Sequence, residues 1–235
     1  MQAFVIRLDG HPYSERKAAR CIETGADYGI DVQPFKATPA HDAERVMREY
    51  RLKWTWARNN TAPDTCPVTG LNQHPYGNLA AKIGCSMSHY RLWRYCAQVG
   101  QPIVILEHDA EFIGAVPRID ETCQINDPES ATHKGSWWSQ QIKAKGPGIH
   151  TKTRVMDDPL RPDGLAGNSA YVITPEDAER AVSLFHVLGV WPNDATLCIQ
   201  LFPDLKELYP FAVKTIQSES TTCPKTTPAR VSLPA

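Results

Sequence analysis

The sharpest change from apolar to polar residues in the chain falls at residues 103–112. Four consecutive aliphatic residues, Ile103 to Leu106, are followed at once by Glu107, His108 and Asp109. A short run that is apolar at every position predicts a strand covered on both faces. Ligands of α/β sheets bind in the crevice beyond the carboxyl ends of the strands. This pattern therefore predicts a buried strand that ends in a functional, metal-capable acidic cluster.

Strand-like and helix-like patterns alternate along much of the chain. Short β-rich runs occupy residues 3–8, 31–35 and 170–173. Residues 79–99 carry apolar side chains at helical spacing and end before Gly100, and residues 175–188 begin with the capping pair Thr174 and Pro175. Such alternation predicts an α/β fold.

The segment between the second strand and the long helix predicts one further element and one loop. Residues 42–57 have helical composition, with Val46, Tyr50 and Trp54 on one face. Residues 59–77 are rich in Pro, Asn, Thr and Gly, which predicts a long loop. A loop of this length is often functional, and it is a candidate lid over the site.

Length and composition narrow the class of protein. A chain of 235 residues favours one α/β domain, which we assign to residues 1–218, followed by a disordered tail at 219–235 that is rich in Thr, Pro and Ser. No apolar stretch is long enough to span a membrane and the start lacks a signal-peptide pattern, so a cytoplasmic location is predicted. Seven cysteines without a CxxC pair disfavour both a disulfide framework and a structural zinc site.

The net charge of −1 gives the whole chain no preference for nucleic acid, but one segment is locally basic. Residues 130–156 contain no acid, and their cations surround the pair Trp137 and Trp138. The cations are Lys134, Lys143, Lys145, Lys152 and Arg154. Cations interleaved with aromatics suit a polyanion such as DNA, whereas a solvated basic face beside a buried tryptophan explains the pattern equally well.

Two motifs in a fixed order resemble glycosyltransferase family 25, which includes lipooligosaccharide and collagen galactosyltransferases. They are GCSMSHYRLW at residues 84–93 and VILEHDAEF at 104–112. Weaker agreement is found in FVIRL near the start, in GNSAYVITPEDA at 167–178 and in the turn from Trp191 to Asp194. The resemblance spans roughly residues 3–220.

This resemblance implies a GT-A-like single domain with a mixed, mostly parallel sheet flanked by helices. It also implies a metal-dependent, inverting transfer of a sugar from a nucleotide sugar, most simply a UDP-sugar, to a hydroxyl group. The acceptor is left open between a glycan, as in lipopolysaccharide biosynthesis, a hydroxylysine-type protein site, and a hydroxymethylated DNA base reached through the basic 134–154 segment.

The chain departs from the family pattern at two positions. Lys82 stands where the family usually has an acid, and His108 is the middle residue of a triplet that is usually Glu-Asp-Asp. By the resemblance, the first change would alter a donor or acceptor contact, while the second preserves the acid-x-acid spacing.

Glu107 and Asp109 are the predicted metal ligands. Two residues apart on an extended chain, they face the same side, and their hard oxygens suit Mn²⁺ or Mg²⁺. His108 would favour softer ions if it turned inward. An acidic turn or helix cap is the structural alternative. By the resemblance, the ion would neutralise the departing diphosphate.

Inverting transfer also requires a base for the acceptor hydroxyl. Asp194 is our first candidate because it begins a predicted helix, where the helix dipole stabilises a carboxylate. Glu111 is the competing candidate, since it belongs to the acidic cluster and alternates onto the same face as Asp109.

Five further residues are candidate donor contacts: Arg7, Arg16, His89, Asn168 and Ser169. The two arginines follow the first strand and would meet the nucleotide. His89 would bind a phosphate or orient a cluster carboxylate, and Asn168 and Ser169 would bind sugar hydroxyls. Each also has a purely structural explanation.

Two other classes of protein fit the acidic strand end. A metal-dependent phosphohydrolase would use such carboxylates, but it usually needs further His and Asp ligands. A non-catalytic module that binds glycan or nucleic acid would retain the fold, with Lys82 and His108 as signs of lost activity.

Overall fold

The computed structural model describes residues 1–57, 64–75, 78–131 and 134–216. The helices are α1 (Pro12–Asp27), α2 (Ala43–Glu49), α3 (Leu79–Val99), α4 (Gly135–Ala144), α5 (Pro175–Leu188) and α6 (Asn193–Thr196). The strands are β1 (Gln2–Arg7), β2 (Val32–Lys36), β3 (Asp64–Thr65), β4 (Asn72–Gln73), β5 (Ile103–Glu107), β6 (Ala110–Phe112), β7 (Cys123–Gln124), β8 (Asn126–Asp127), β9 (Gly148–Thr151), β10 (Ala170–Ile173), β11 (Lys206–Tyr209) and β12 (Val213–Thr215). The predicted tail, 219–235, lies outside the described residues, as does the boundary at residue 218.

A seven-stranded mixed sheet with the order β2-β1-β5-β10-β7-β11-β9 forms the centre of the fold. The strands β2, β1, β5, β7 and β11 run in one direction, and β10 and β9 run in the other. A smaller sheet, β6-β12-β8, lies beside it. The predicted α/β architecture, with a mixed and mostly parallel sheet flanked by helices, is confirmed.

Strand β5 is buried on both faces of the central sheet. Ile103 and Ile105 belong to the hydrophobic cluster formed with α3 and α5. Val104 and Leu106 belong to the cluster on the opposite face, formed with α1. This alternation explains why the run is apolar at every position. Glu107 is the first residue of the strand that belongs to neither cluster.

Helix α3 has the bounds that the sequence predicts, because both of its ends are determined locally. The Asn78 side chain accepts a hydrogen bond from the Ala81 amide at 3.2 Å, and Gly100 closes the helix with a left-handed φ of 64°. Helix α5 likewise begins with the Thr174 hydroxyl accepting from the Asp177 amide at 3.2 Å. These caps confirm the predicted helix positions.

The helix predicted over residues 42–57 is wrong beyond Glu49. Arg51 adopts a left-handed φ of 57°, and Trp54 then forms a parallel bridge to Val190. The Val190 amide donates to the Lys53 carbonyl at 2.7 Å. Pairing with a distant segment therefore overrides the local helical composition.

In the predicted loop at residues 59–77, β3 and β4 form a hairpin. Residues 58–63 and 76–77 lie outside the described residues, so the lid remains a prediction.

The basic stretch at 130–156 is largely neutralised by carboxylates from other parts of the chain. Four of its five cations have acidic partners: Lys134 with Asp157 at 3.1 Å, Lys143 with Asp127 at 3.8 Å, Lys145 with Glu207 at 2.7 Å and Lys152 with Asp163 at 2.6 Å. Trp138 is buried and donates to Glu207 at 2.9 Å. The stretch is therefore not a free basic surface, because the fold supplies the acids that its own sequence lacks.

The Lys152–Asp163 pair is fully buried and predicts a large stability effect. The second Asp163 oxygen accepts from the amides of Val155 and Met156, at 2.7 and 3.0 Å. Burial lowers the pKa of the Lys152 ammonium, and Asp163 counteracts this. Asp163→Asn would leave that ammonium without a counter-charge, which we expect to reduce the free energy of unfolding by about 3–5 kcal/mol.

Denaturant unfolding of the purified protein measures this loss. Asp157→Asn is the matched control, because Asp157 is exposed in its pair with Lys134 and should change stability by less than about 1 kcal/mol. Equal unfolding midpoints for the two variants would contradict the importance of the buried pair.

Among the described residues, none of the helices combines the length and the apolar character needed to cross a membrane. The predicted cytoplasmic location is not tested by this finding and stays a prediction.

Candidate active site

A cleft of about 240 Å³ opens beyond the carboxyl ends of β1 and β5. Its walls come from the segments that follow β1, β2 and β5, from the first half of α3, from the entry to β10, and from α6. The polar side chains that line it include Lys82, Cys85, His89, Glu107, Asp109 and Asp194. This is the crevice where ligands bind in open α/β sheets, and it contains the acidic strand end that the sequence predicts.

The backbone of the acidic strand end is fixed on both sides. The Glu107 amide donates to the Ser169 carbonyl at 2.8 Å, and the Ile216 amide donates to the Asp109 carbonyl at 2.9 Å. Both carboxylate side chains and the His108 ring line the same cleft, as their spacing suggests. The cluster is therefore held in place by hydrogen bonds from β10 and from the end of β12.

Burial and a neighbouring charge both act on Asp109 in the cleft. It is 5% exposed, and its Oδ1 has no hydrogen-bond partner among the described residues. Burial, followed by the nearby Glu107 charge, raises the pKa of the Asp109 carboxyl to about 7. A divalent cation between Glu107 and Asp109 would relieve this repulsion and give the unpartnered oxygen a ligand. The two carboxylates therefore suit a hard cation such as Mn²⁺ or Mg²⁺.

His108 also borders the cleft, and its buried Nε2 has no hydrogen-bond partner among the described residues. Its ring packs edge-on against Tyr13 with 5.8 Å between the ring centroids. Burial lowers the pKa of the His108 imidazole, which favours the neutral ring. A neutral ring at this position adds no positive charge to compete with a cation.

Two pairs of residues, each four positions apart, connect the first turns of α3 to the cleft. Gly84 and Ser88 face the segment after β2: a β-carbon at Gly84 would lie 2.5 Å from the Thr38 carbonyl oxygen. Ser88 Oγ accepts from the Thr38 amide at 2.8 Å and donates to the Gly84 carbonyl at 2.8 Å. The glycine and serine of the GCSMSH motif therefore fix Thr38, which lines the cleft.

Gly84→Ala is expected to reduce the free energy of unfolding by roughly 1–3 kcal/mol, since the added methyl must displace the backbone at Thr38. Thermal or denaturant unfolding measures the loss. Ala80→Ser, which adds one atom at an exposed position one turn earlier in the helix, is the control and should leave stability unchanged. A wild-type midpoint for Gly84→Ala would show that the close approach is not needed.

The second pair, Cys85 and His89, faces Glu107. The Cys85 thiol lies 3.7 Å from Glu107 Oε1 and 3.4 Å from Asn193 Oδ1. His89 Nε2 lies 3.5 Å from the same Glu107 oxygen. Burial, and then the Glu107 charge, raises the pKa of the Cys85 thiol, so the thiol is protonated and donates. Glu107 is thus held from the α3 side by two neighbouring side chains.

The His89 ring is oriented by a buried chain of hydrogen bonds. Trp93 Nε1 donates to the Tyr171 hydroxyl at 2.9 Å, and that hydroxyl lies 2.8 Å from His89 Nδ1. The His89 and Tyr171 rings also stack, with 5.8 Å between centroids. A hydroxyl can donate or accept, so either tautomer of His89 fits this arrangement. In both cases Nε2 points at Glu107.

Asp194 lies in the cleft wall at the first turn of α6. Its Oδ1 is 3.4 Å from Lys82 Nζ, so the residue that departs from the family pattern meets the candidate base directly. The backbone here is tightly packed, because a β-carbon on Gly164 would lie 1.8 Å from the Asp194 carbonyl oxygen. The helix has only four residues, so its dipole contributes less than a full helix would.

Several predicted site residues do not reach the cleft. Arg7 pairs with Asp9 at 2.8 Å, because along β1 the neighbouring Ile6 and Leu8 line the cleft and Arg7 points to the other side. Arg16 is exposed on α1. Glu111 lies 3.8 Å from Lys17 of α1 and outside the cleft.

The residues that lead into β10, 167–169, differ in whether they line the cleft. Ser169 lines the cleft, whereas Asn168 is fully buried with a left-handed φ of 51°, and neither of its side-chain polar atoms has a hydrogen-bond partner among the described residues. Ser169 is therefore the better placed of the two for a ligand. His89 also borders the cleft, from its buried side.

Sequence reasoning did not assign site roles to Cys85 or Thr38, and it linked Lys82 to a donor or acceptor contact without identifying its partner. The spacing of four residues between Cys85 and His89 is a signal that places both on one helix face. Nothing local indicates that Lys82 meets Asp194, because the two residues come together only in the fold.

Comparison with protein families gives a match that covers most of the chain. The family described as glycosyltransferase family 25 (LPS biosynthesis protein) matches residues 2–196. No curated protein sequence matches. Among solved structures, the chain is similar to a CTP:phosphocholine cytidylyltransferase from Streptococcus pneumoniae, with 12% identity, a TM-score of 0.43, and 92% and 93% of the two chains covered. It is also similar to mouse xyloside xylosyltransferase 1 in its apo form, with 11% identity, a TM-score of 0.35, and 87% and 84% covered.

Proposed function

The chain belongs to glycosyltransferase family 25 and is a glycosyltransferase, and we propose that it transfers a sugar from a nucleotide sugar to a glycan hydroxyl with the help of a divalent cation. Glu107 and Asp109 hold the cation, and Asp194 is the base. The observation that carries this proposal is the pair of cleft carboxylates, one of them buried with an oxygen that has no partner. The family match favours a glycosyltransferase over the non-catalytic module and the phosphohydrolase, both of which the acidic strand end alone allows.

The donor would lie with its diphosphate against Glu107 and Asp109. A bound Mn²⁺ or Mg²⁺ would supply neutralisation of the charge that develops on the departing diphosphate. The residues of the chain itself fix the two carboxylates: Ser169 and Ile216 hold their backbone, and Cys85 and His89 contact Glu107. Ser169 is placed to accept or donate a hydrogen bond to the sugar. The nucleotide is most simply UDP, as the resemblance implies.

Asp194 would act on the acceptor. Its carboxylate takes the proton from the acceptor hydroxyl as that oxygen attacks the anomeric carbon, and the bond from that carbon to the diphosphate breaks on the opposite side. Such a displacement inverts the configuration at this carbon. The Lys82 ammonium, 3.4 Å away, orients the Asp194 carboxylate towards the cleft. Glu111 is a weaker candidate for the base because it is outside the cleft.

The acceptor is proposed to be a glycan of the lipopolysaccharide type, in line with the description of the family. A hydroxymethylated base in DNA is the alternative. Its main support was the basic 134–154 segment, and four of the five cations there are paired with carboxylates. A phosphate backbone would have to compete with those partners, which favours the glycan.

A donor screen tests the proposal. The protein is incubated with individual nucleotide sugars in Mn²⁺, in Mg²⁺ or in chelator, and release of the nucleotide is measured with and without a mixture of lipooligosaccharide acceptors. We expect one donor, a UDP-sugar first, to be turned over only with metal, and faster with acceptor. If no nucleotide sugar is turned over or bound under any of these conditions, the proposal is wrong.

A further inference from the structure

We propose that Cys85, His89 and Glu107 form a second metal site, for a thiophilic divalent cation such as Zn²⁺, at the back of the cleft. This site differs from the carboxylate pair in its ligands, since it combines a thiol, an imidazole and a carboxylate. Binding at the site does not depend on the proposed donor role. Only the effect of binding on sugar transfer rests on the proposed function.

Two of the three separations between the ligand atoms are close to those of a tetrahedral zinc site. Glu107 Oε1 lies 3.5 Å from His89 Nε2 and 3.7 Å from Cys85 Sγ, and all three atoms lie within 4.8 Å of one another. Zinc bonds of about 2.0–2.3 Å at tetrahedral angles place ligand atoms roughly 3.3–3.6 Å apart. The two distances to Glu107 fall close to this range, and Cys85 Sγ and His89 Nε2, which lie within 4.8 Å of each other, would move towards it when one ion is bound.

The His89 imidazole has one nitrogen available to bind a metal and the other held by a hydrogen bond. His89 is fully buried, and its Nε2 has no hydrogen-bond partner among the described residues, although it points into the space between Cys85 and Glu107. Its other nitrogen, Nδ1, is held by the Tyr171 hydroxyl at 2.8 Å. Metal-ligating histidines usually have their second nitrogen fixed in this manner, because the contact orients the ring. The Tyr171 hydroxyl can accept a hydrogen bond from Nδ1–H, and in that tautomer the Nε2 lone pair is free.

A thiol and an imidazole select softer cations than a pair of carboxylates does. The thiol must lose its proton to bind, and a cation at this position offsets the burial and the Glu107 charge that keep the proton on. The alternative is that Cys85 and His89 serve only as hydrogen-bond donors to Glu107. The two possibilities differ in one measurable respect, which is whether the sulfur becomes a metal ligand.

Glu107 belongs to both sites, so their occupancies are coupled. A cation held by Cys85 and His89 would engage Glu107 Oε1 and withdraw it from the pair with Asp109. Zn²⁺ is therefore expected to act against a hard cation in the same cleft, and to inhibit sugar transfer at concentrations where Mn²⁺ supports it.

Cobalt is the probe that reports on the sulfur. Co²⁺ is titrated into the metal-free full-length protein, and the thiolate-to-metal absorption band is recorded, while calorimetry measures the affinity for Zn²⁺. We expect one equivalent of Co²⁺ to produce the band. Cys85→Ser should abolish the band and weaken Zn²⁺ binding by about 10- to 100-fold. Circular dichroism and the melting temperature establish that the variant is folded.

Cys96→Ser is the matched control. Cys96 lies on the same helix, is buried, and donates to the carbonyls of Gln101 and Ile173. Neither hydrogen bond involves Glu107. The variant should retain the cobalt band. The proposal is overturned if the wild type binds Co²⁺ without a thiolate band, or if Cys85→Ser keeps the band. Because no nucleotide sugar is present, this result is independent of whether the proposed function is correct.

Discussion

Replacing Asp109 by asparagine is expected to lower the rate of sugar transfer by about a thousandfold, because the substitution keeps the shape of the side chain and removes a carboxylate that holds the cation against the diphosphate. Initial rates with the donor identified by the screen measure this loss. Glu111→Gln is the matched control: it removes a carboxylate two residues away that is paired with Lys17 outside the cleft, and it should keep nearly all activity.

The same Asp109 variant should not lose stability. Asp109 has a pKa of about 7 in the folded protein against 3.8 ordinarily, so the folded state binds its proton more tightly than the unfolded state does. Ionising this carboxyl therefore costs folding free energy, and the cost grows as the pH rises from about 4 to 7 and then stays constant. In chelator at pH 8, Asp109→Asn is expected to be at least as stable as the wild type by denaturant unfolding. Full activity would show that Asp109 is not needed to hold the cation, and a clear loss of stability would show that it is a structural residue.

Asp194→Asn is expected to lower kcat by about 10²- to 10⁴-fold, which is the usual contribution of a positioned base. Proton removal occurs only in the transition state, so the Kd for the nucleotide should stay within a factor of a few. Steady-state kinetics and calorimetry with the nucleotide separate the two effects. Asp204→Asn, at an exposed position outside the cleft, is the control and should behave as the wild type.

An unchanged kcat for Asp194→Asn would exclude this residue as the base and leave the cation site unaffected. A large fall in nucleotide affinity would indicate instead that the Lys82–Asp194 pair serves the donor. Either result would change the assignment of the base and leave the assignment of the enzyme class unchanged.

The features that the sequence predicts correctly are those determined over short distances. Burial of β5 follows from four adjacent aliphatic residues, and the ends of α3 follow from Asn78 and Gly100. The start of α5 follows from its Thr174 cap. In each of these cases the stabilising partner lies within a few residues, or the burial follows from composition alone, so a local pattern carries the information.

The features that sequence reasoning misses depend on residues far apart in the chain. Residues 50–57 leave the helical conformation because they pair with residues near Val190. The lysines of the 134–154 segment are neutralised by acids as distant as Glu207. Arg7 is excluded from the cleft by the alternation along β1, whose direction is set only when the strand joins the sheet.

The candidate site shows the same division. Glu107 and Asp109 are recognisable because a strand and an acidic triplet are adjacent in sequence, and the structure places both in one cleft. The contacts of Cys85 with Asn193 and of Lys82 with Asp194 each join residues more than 100 positions apart. Such contacts have no local signature, and a single sequence contains no record of them.

The most direct test of the central proposal is the affinity of the protein for UDP, measured by calorimetry in Mn²⁺ and in chelator, for the wild type and for Asp109→Asn. If Glu107 and Asp109 hold the cation that binds the diphosphate, the wild type should bind UDP at least about tenfold more tightly with Mn²⁺, an enhancement worth about 1.4 kcal/mol, and Asp109→Asn should lose that enhancement. Equal affinities with and without Mn²⁺ in the wild type, or an undiminished enhancement in Asp109→Asn, would contradict it.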